Sequence, residues 1–443
     1  MTVPAANREG NAPLIARTGG SRAPIPEPVR QNLRRNYTAH SLEGGCFMGG
    51  MAFVAPETIL PPFMEELGAP ALLIALCPQL MFIGFVIPPL LMAHRVESLE
   101  RLKPWVLRWT IFQRLPFLAA GLILLLTAHL PNGLLLAAVA LAPFFSGLAG
   151  GMSVAAWSAL VAKVIPANRR ASASAIRHSI GAGMGVGAGL LADYVLSAFD
   201  RAEAYALLHL ICFAVLMIGF GLFSRIREPD IASPPRPKRS LRQSLAGMVP
   251  ILKQDVRFRT YLLSRCFLAG IYVVAPFLSI HAIATLEQDR SFSGVLTSYK
   301  SLGILLGNIA GAILGDRLGG KIVMVLAVSS LLAMTALSLV AGSVWSFYLL
   351  FVLWGAGFSL QVVGHQTLQL ELAPPDRVPT YVSLQMASAL PFMLTAGVLS
   401  TVFRGVSERQ FDAAIWPLAV PTLLCLALSM VFLLPVREPR KEG

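Results

Sequence analysis

Charge is scarce in this chain. Of its 443 residues only 13% are Asp, Glu, Lys or Arg, while 55% are hydrophobic. A soluble domain carries about twice that charge fraction, because it has a wet surface to cover. The shortage excludes a surface that faces water over most of its area. Cysteine is scarce as well: Cys46, Cys77, Cys212, Cys266 and Cys425 all fall inside apolar stretches. They have neither disulfide nor metal spacing and read as small buried hydrophobes. The seven histidines (His40, His94, His129, His178, His209, His281 and His365) are scattered singly. That scatter argues against a metal centre, and so against a membrane-embedded metalloenzyme. No phosphate-binding Gly-x-x-x-x-Gly-Lys-Ser/Thr sequence occurs, which removes ATP as an energy source used by this chain. A nominal dinucleotide pattern, Gly-x-Gly-x-x-Ala at 183–188, follows no strand and lies in an apolar run, so that reading fails too. No cleavable leader is expected, since the first apolar segment is a full span without a small-residue cleavage site. The sequence therefore predicts no enzyme, no metal and no cofactor.

Long apolar runs are abundant, and mean hydropathy is +0.67. A run of about 20 residues crosses a ~30 Å hydrocarbon core as a helix at ~1.5 Å per residue. Twelve such runs are legible: 38–60, 70–93, 105–128, 133–163, 173–198, 204–224, 259–285, 293–315, 322–342, 345–371, 379–403 and 413–435. The expected fold is an all-α integral membrane protein of twelve spans. The expected domains are a disordered basic tail (1–36), a six-helix bundle (37–224), a linker (225–258), a second six-helix bundle (259–436) and a short tail (437–443). Tails and linker are expected to be cytoplasmic.

Orientation follows from the basic residues. With residue 1 in the cytoplasm, 29 of 36 Lys and Arg fall in the tails and the even-numbered connections with their helix ends. Four (Arg201, Arg290, Arg404 and Arg409) fall outside, and three (Arg114, Arg265 and Lys300) within spans. This positive-inside bias places both termini in the cytoplasm of a cell whose inner membrane the chain spans. It also accounts for the net charge of +13, which is directed at the anionic lipid bilayer rather than at nucleic acid.

The chain repeats itself. "CFMGGMAFVAP" at 46–56 returns as "CFLAGIYVVAP" at 266–276, with Cys46/Cys266, Phe47/Phe267, Gly50/Gly270, Val54/Val274, Ala55/Ala275 and Pro56/Pro276 identical. "RIREP" (225–229) closes span 6 as "PVREP" (435–439) closes span 12, and "IPANRR" (165–170) follows span 4 as "APPDRV" (373–378) follows span 10. An even number of spans per repeat makes the halves parallel copies about an axis along the membrane normal.

The stretch "AILGDRLGGK", 312–321, resembles the loop signature of the major facilitator superfamily, Gly-x-Leu-x-Asp-Arg-x-Gly-Arg-Lys. Leu314, Asp316, Arg317, Gly319 and Lys321 match. Its N-terminal counterpart, "LLMAHRVESLERLK" (90–103), has eroded: His94 stands where the Asp belongs, before Arg95. The resemblance covers nearly everything after residue 36. It implies alternating access between two six-helix bundles, with spans 1, 4, 7 and 10 around a central path. It also implies gating roles for Arg95, Asp316, Arg317, Gly319 and Lys321. Independently, an acid at a helix N-terminus and a lysine at a helix C-terminus are both favoured by the helix dipole.

Ionisable groups inside a span are costly and mark function by default. The pathway candidates are Glu43, Arg114, Arg265, Tyr299, Lys300, Gln361 and His365. Gln361, His365 and Gln369 share one helix face at four-residue spacing. Glu57 and Asp193 lie nearer the outer surface, where their side chains can reach water. In "GAGMGVGAG" (181–189), Gly181, Gly185 and Gly189 form one close-packing face, with Gly183 and Gly187 nearly opposite, as though span 5 were squeezed between two neighbours. The expected protein is a monomeric secondary transporter of a small organic solute, with the proton as coupling ion and efflux as its direction. The alternative is a membrane assembly factor or receptor of the same fold without transport.

Overall fold

In the computed structural model the described residues are 25–97, 99–126, 131–230, 250–374 and 378–436, and among these the secondary structure is entirely helical. Span 1 is made of α1 (Glu27–Met51), a 3-10 turn (Ala52–Val54) and α2 (Leu60–Glu66). Spans 2 to 6 are α3 (Ala71–Glu97), α4 (Lys103–Leu126), α5 (Asn132–Val164), α6 (Ala167–Ala198) and α7 (Arg201–Ser224). Span 7 is made of α8 (Val256–Leu268), α9 (Ile271–Val274), a 3-10 turn (Ala275–Phe277) and α10 (Leu278–Thr285). Spans 8 to 12 are α11 (Phe292–Leu318), α12 (Gly320–Ser338), α13 (Val344–Leu372), α14 (Val378–Gln410) and α15 (Trp416–Leu433).

Among the described residues nine segments are long and apolar enough to cross a membrane on composition alone. The other three are span 1, span 2 (whose counted apolar part, Ala71–Val86, is short) and span 8, which carries Lys300. Large apolar side chains such as Leu126, Ile218, Val340 and Leu424 stand on the outside of the bundle, where lipid is the solvent.

One boundary needs correction. The tail was expected to run to residue 36, yet α1 begins at Glu27. Asn36 is fully buried; its side chain donates to the Arg227 carbonyl at 3.0 Å and accepts from the Arg227 amide at 2.8 Å. The start of α1 is thereby tied to the chain leaving span 6. Polar composition concealed a helix that packs on a partner remote in sequence.

The repeated phrase now has a physical reason. Both copies end where their helix breaks, because Pro56 and Pro276 cannot donate the next backbone hydrogen bond. The repeated glycine is a close approach to the last span of its own half. A Cβ on Gly50 would stand 3.3 Å from Leu216, and one on Gly270 would overlap Cys425. Small residues also join spans 2 and 4, and spans 8 and 10. A Cβ on Gly151 would lie 2.5 Å from the Phe85 carbonyl, and one on Gly307 2.7 Å from that of Ala356. Such backbone proximity drives helix association in lipid, where the hydrophobic effect does not.

The two halves meet through span 5 against span 8 and span 2 against span 11. These pairs are equivalent under the pseudo-twofold that the repeat demands. The side of the bundle carrying the start of α1, residues 225–230 and 250–255 and the end of α15 is called the near side below, and the opposite one the far side.

Candidate functional site

Two polar clusters occupy the spans, one in each half. In the N-terminal half Glu43 of span 1 is buried between two arginines. Arg114 Nη2 lies 3.3 Å from Oε1, and Arg177 Nη1 lies 3.2 Å from Oε2. Arg114 is the midpoint of α4 and wholly buried. It also donates to the carbonyls of Leu216 (2.8 Å) and Thr110 (2.7 Å), and its guanidinium lies between the rings of Phe47 and Phe220. Its donors are spent on the protein, so it braces spans 1, 3 and 6 and holds Glu43. Arg177 passes over Gly44, where any Cβ would collide with it, and reaches the Trp157 ring 5.0 Å away. His40 packs on the same indole. Two cations and one carboxylate leave the cluster with one net positive charge.

The C-terminal cluster centres on Tyr261 of span 7. Its hydroxyl lies 2.7 Å from His365 Nδ1 of span 10 and accepts from Gln385 Nε2 of span 11 at 3.0 Å. Arg265, one turn further along α8, lies within hydrogen-bonding reach of the Tyr261 side chain and close enough to Cys266 and His365 to act on each electrostatically. It makes no ion pair among the described residues, and its Nε is buried without a hydrogen-bond partner. Gln361 is half-buried one turn from His365 on the predicted face of span 10. On the near side of this cluster a pocket of about 560 Å³ is lined by Gln254, Asp255, Arg257, Glu371 and Tyr381.

Lys300 was expected to need water, an acid or an anion, and the structure supplies the acid. Its Nζ lies 3.1 Å from Glu57 Oε2 of the opposite half and 4.5 Å from the centre of the Trp354 ring. Glu57, expected only to reach toward water, is therefore half of a buried inter-half pair. Tyr299 is turned away from that pair and stacks on Tyr348 with ring centres 3.9 Å apart. Next to the pair the Thr58 and Thr297 hydroxyls are bonded at 2.6 Å. Arg404 of span 11 bonds Glu65 of α2 at 3.1 Å and Glu408 of its own helix at 2.6 Å. Arg290 donates to the carbonyls of Leu196 (3.4 Å) and Phe199 (3.0 Å). Glu57–Lys300, Thr58–Thr297, Glu65–Arg404 and the Arg290 contacts join the two halves in the far half of the bundle.

The glycine face of span 5 belongs to the same seam. A Cβ on Gly185 would stand 2.6 Å from Ser301 Oγ, and one on Gly189 would lie 2.5 Å from the Gly294 carbonyl of span 8. A Cβ on Gly181 would lie 2.5 Å from Met48 of span 1. Gly183 and Gly187 face open space. Span 5 does lie between two neighbours, spans 1 and 8, but its glycines meet both through the Gly181, Gly185 and Gly189 face, and the opposite glycines touch nothing.

On the near side the side chains of Arg95 and Asp316 lie outside the described set. Arg317 is exposed. Gly319 has φ +90°, a conformation that favours glycine, and it turns the chain from span 8 into span 9. Lys321 Nζ donates to the Leu434 carbonyl at 2.7 Å, meeting the C-terminal end of span 12. The N-terminus of α12 receives the Glu371 carboxylate, 3.3 Å from the Gly320 amide. Span 3 is capped likewise by Glu228 of "RIREP", which accepts the amides of Leu102 (3.1 Å) and Lys103 (2.9 Å) and pairs with Lys163 at 3.0 Å. Partial burial works to raise the Glu228 pKa, but the two amides and Lys163 outweigh it and hold it below the ordinary carboxylate value. The echoed "REP" is thus a helix cap in the first half, and its second copy, Glu438, lies outside the described residues.

Sequence reasoning missed Arg177, Tyr261, Gln385, Glu65 and Arg404. Arg177 was counted with the basic helix ends, although Glu43 already required a cation in the spans. Arg404 was assigned to an outer connection, although basic residues are rare on that side. Tyr261 and Gln385 carried no signal beyond ordinary polarity.

No curated protein matches the chain by sequence. Residues 260–443 match the family described as the Major Facilitator Superfamily, which is the half bearing the better-kept loop signature. Among solved structures, the D-xylose–proton symporter superposes with a TM-score of 0.68 at 12% identity, over 92% of this chain and 98% of that one. The nucleoside transporter NupG gives 0.66 at 14%, over 91% and 99%. A bacterial homologue of the iron transporter ferroportin in its outward-facing state gives 0.60 at 15%, over 90% and 98%. The C-terminal half of the chain thus resembles the Major Facilitator Superfamily in sequence, and its whole length has the fold of these solved structures.

Proposed function

We propose that the chain is a secondary transporter of a small organic solute that works by alternating access and is held here in its far-closed state. The observation that carries this reading is the gathering of inter-half contacts in the far half of the bundle. Glu57–Lys300, Thr58–Thr297 and Glu65–Arg404 each take one partner from either half. A contact that exists in only one arrangement of two rigid bodies is what biases a two-state equilibrium. The near side, rich in Lys and Arg, faces the cytoplasm of the cell's inner membrane.

The coupling ion in this proposal is the proton. Both acids deep in the spans, Glu43 and Glu57, are engaged by cations, so protonating either one releases an arginine or a lysine. At Glu57 the released group is half of the far-side seal, which ties loading of a proton to opening. One copy of the chain holds both walls of the path, so a monomer suffices.

The test has two parts. Reconstituted protein should exchange a labelled solute against the same unlabelled solute in counterflow, and Lys300→Met should change the exchange rate. Tags at residue 1, within 230–240 and after residue 443 should all be reached from the cytoplasm only. A tag after residue 443 reached from outside intact cells overturns the twelve-span topology. Failure of every stabilising solute to exchange favours the non-transporting assembly factor or receptor instead.

A further inference from the structure

We propose that Arg265 holds the negative group of the solute, and that the solute is a carboxylate-bearing organic anion seated beside Tyr261, His365 and Gln385. The inference rests on the transporter reading above and names the chemical class of its cargo.

A cation within a span costs several kcal/mol unless something compensates it. The other cations of the spans are compensated by carboxylates of this chain. Arg114 and Arg177 share Glu43, Lys300 has Glu57, and Arg404 has Glu65 and Glu408. Arg265 makes no such pair among the described residues, and its Nε is buried without a hydrogen-bond partner. Glu43 and Glu57 are already taken, and the Glu43 cluster itself carries a surplus positive charge. Arg265 is thus the cation of the spans that, among the described residues, has no carboxylate partner.

The neighbours of Arg265 present the matching hydrogen-bond character. Gln385 Nε2 donates to the Tyr261 oxygen, so the Tyr261 proton is directed to His365 Nδ1. A neutral His365 then carries its own proton on Nε2, which is buried and has no partner among the described residues. Two unspent donors, Arg265 Nε–H and His365 Nε2–H, stand in one cluster, and a carboxylate is the acceptor that takes both. The unspent Gln385 Oε1 adds one acceptor for a hydroxyl or N–H of the same solute.

Access is one-sided. One turn toward the far side, Ala269, Ala389 and Met393 pack with Tyr272 and with Phe82 of the opposite half into an apolar ceiling. Toward the near side lies the 560 Å³ pocket. That pocket is lined by Asp255, Arg257, Glu371 and Tyr381 and not by Arg265 itself; the far side of Arg265 is covered by side chains of both halves, so the proposed entry is from the near side.

The test uses the purified full chain and sodium benzoate, succinate and citrate at millimolar concentration. Each is compared with sodium chloride, and the first two also with benzamide and succinamide. Melting temperature is read, since a ligand of the folded state raises it. The expected result is a rise of several degrees with at least one acid and none with its amide. The rise should be lost in Arg265→Gln and partly kept in Arg265→Lys. An amide as effective as its acid, no response to any of the three acids, or an undiminished response in Arg265→Gln overturns the proposal. The acid–amide comparison on the unaltered chain decides even where Arg265→Gln fails to fold. Stabilisation and counterflow of neutral compounds alone would leave the transporter reading standing and remove the anion site. Stabilisation by acids that do not exchange would leave the anion site and remove transport.

Discussion

Breaking the Glu57–Lys300 pair should open the far side, and its size can be worked from the geometry. At 3.1 Å and an effective dielectric of about 20, the attraction is about 5 kcal/mol before desolvation. Desolvation offsets much of it, more for Lys300, whose side chain is 9% exposed, than for Glu57 at 19%. A net coupling of about 1–3 kcal/mol remains, present only while the halves are closed on that side, which is about a 5- to 150-fold bias. Lys300→Met, Glu57→Gln and the double variant would be compared in a background with the five native cysteines replaced. Ser301→Cys serves as reporter, because Ser301 is buried in the seam opposite Gly185. The readout is labelling by a membrane-impermeant maleimide applied to intact cells. Each single variant should label about 5- to 150-fold faster than the parent, and the double variant no faster than the quicker single. Strictly additive effects, or unchanged rates in both singles, would refute the reasoning.

Three further outcomes are expected. Gly185→Leu should damage folding or transport more than Ala336→Leu, since Gly185 meets Ser301 across the seam while Ala336 is exposed on span 9; equal expression and exchange in the two variants would argue against a packing face. Glu43→Ala should destabilise the protein by about 3–5 kcal/mol, because it strands two guanidiniums in the spans, and an unchanged melting temperature would show that the cluster does not hold the bundle together. Glu228→Gln should destabilise at neutral pH. A carboxyl whose folded-state pKa is depressed contributes stability above its unfolded value and loses it as pH falls through the folded one. The gap between Glu228→Gln and the parent should therefore be constant above about pH 5 and close as pH falls further, in melts from neutral to acid; a gap independent of pH would count against the cap.

The sequence by itself determined the spans, their number and their pairing into halves, because lipid leaves the backbone few choices. Every spanning segment must satisfy its own hydrogen bonds, so length and apolarity locate most of them, nine on composition alone among the described residues. The repeat was legible for a related reason: Gly50 and Gly270 recur because each half needs the same close approach, and Pro56 and Pro276 because each needs the same break. Charge was legible only as a count. Which carboxylate meets which cation depends on how helices remote in sequence are rotated against one another. Glu43, Arg114 and Arg177 come from spans 1, 3 and 5, and Glu57 and Lys300 from opposite halves. The sequence marks Lys300 and Arg265 alike as cations in apolar runs. Only the tertiary structure separates them, because it brings Glu57 within 3.1 Å of Lys300 and, among the described residues, leaves Arg265 without an ion pair.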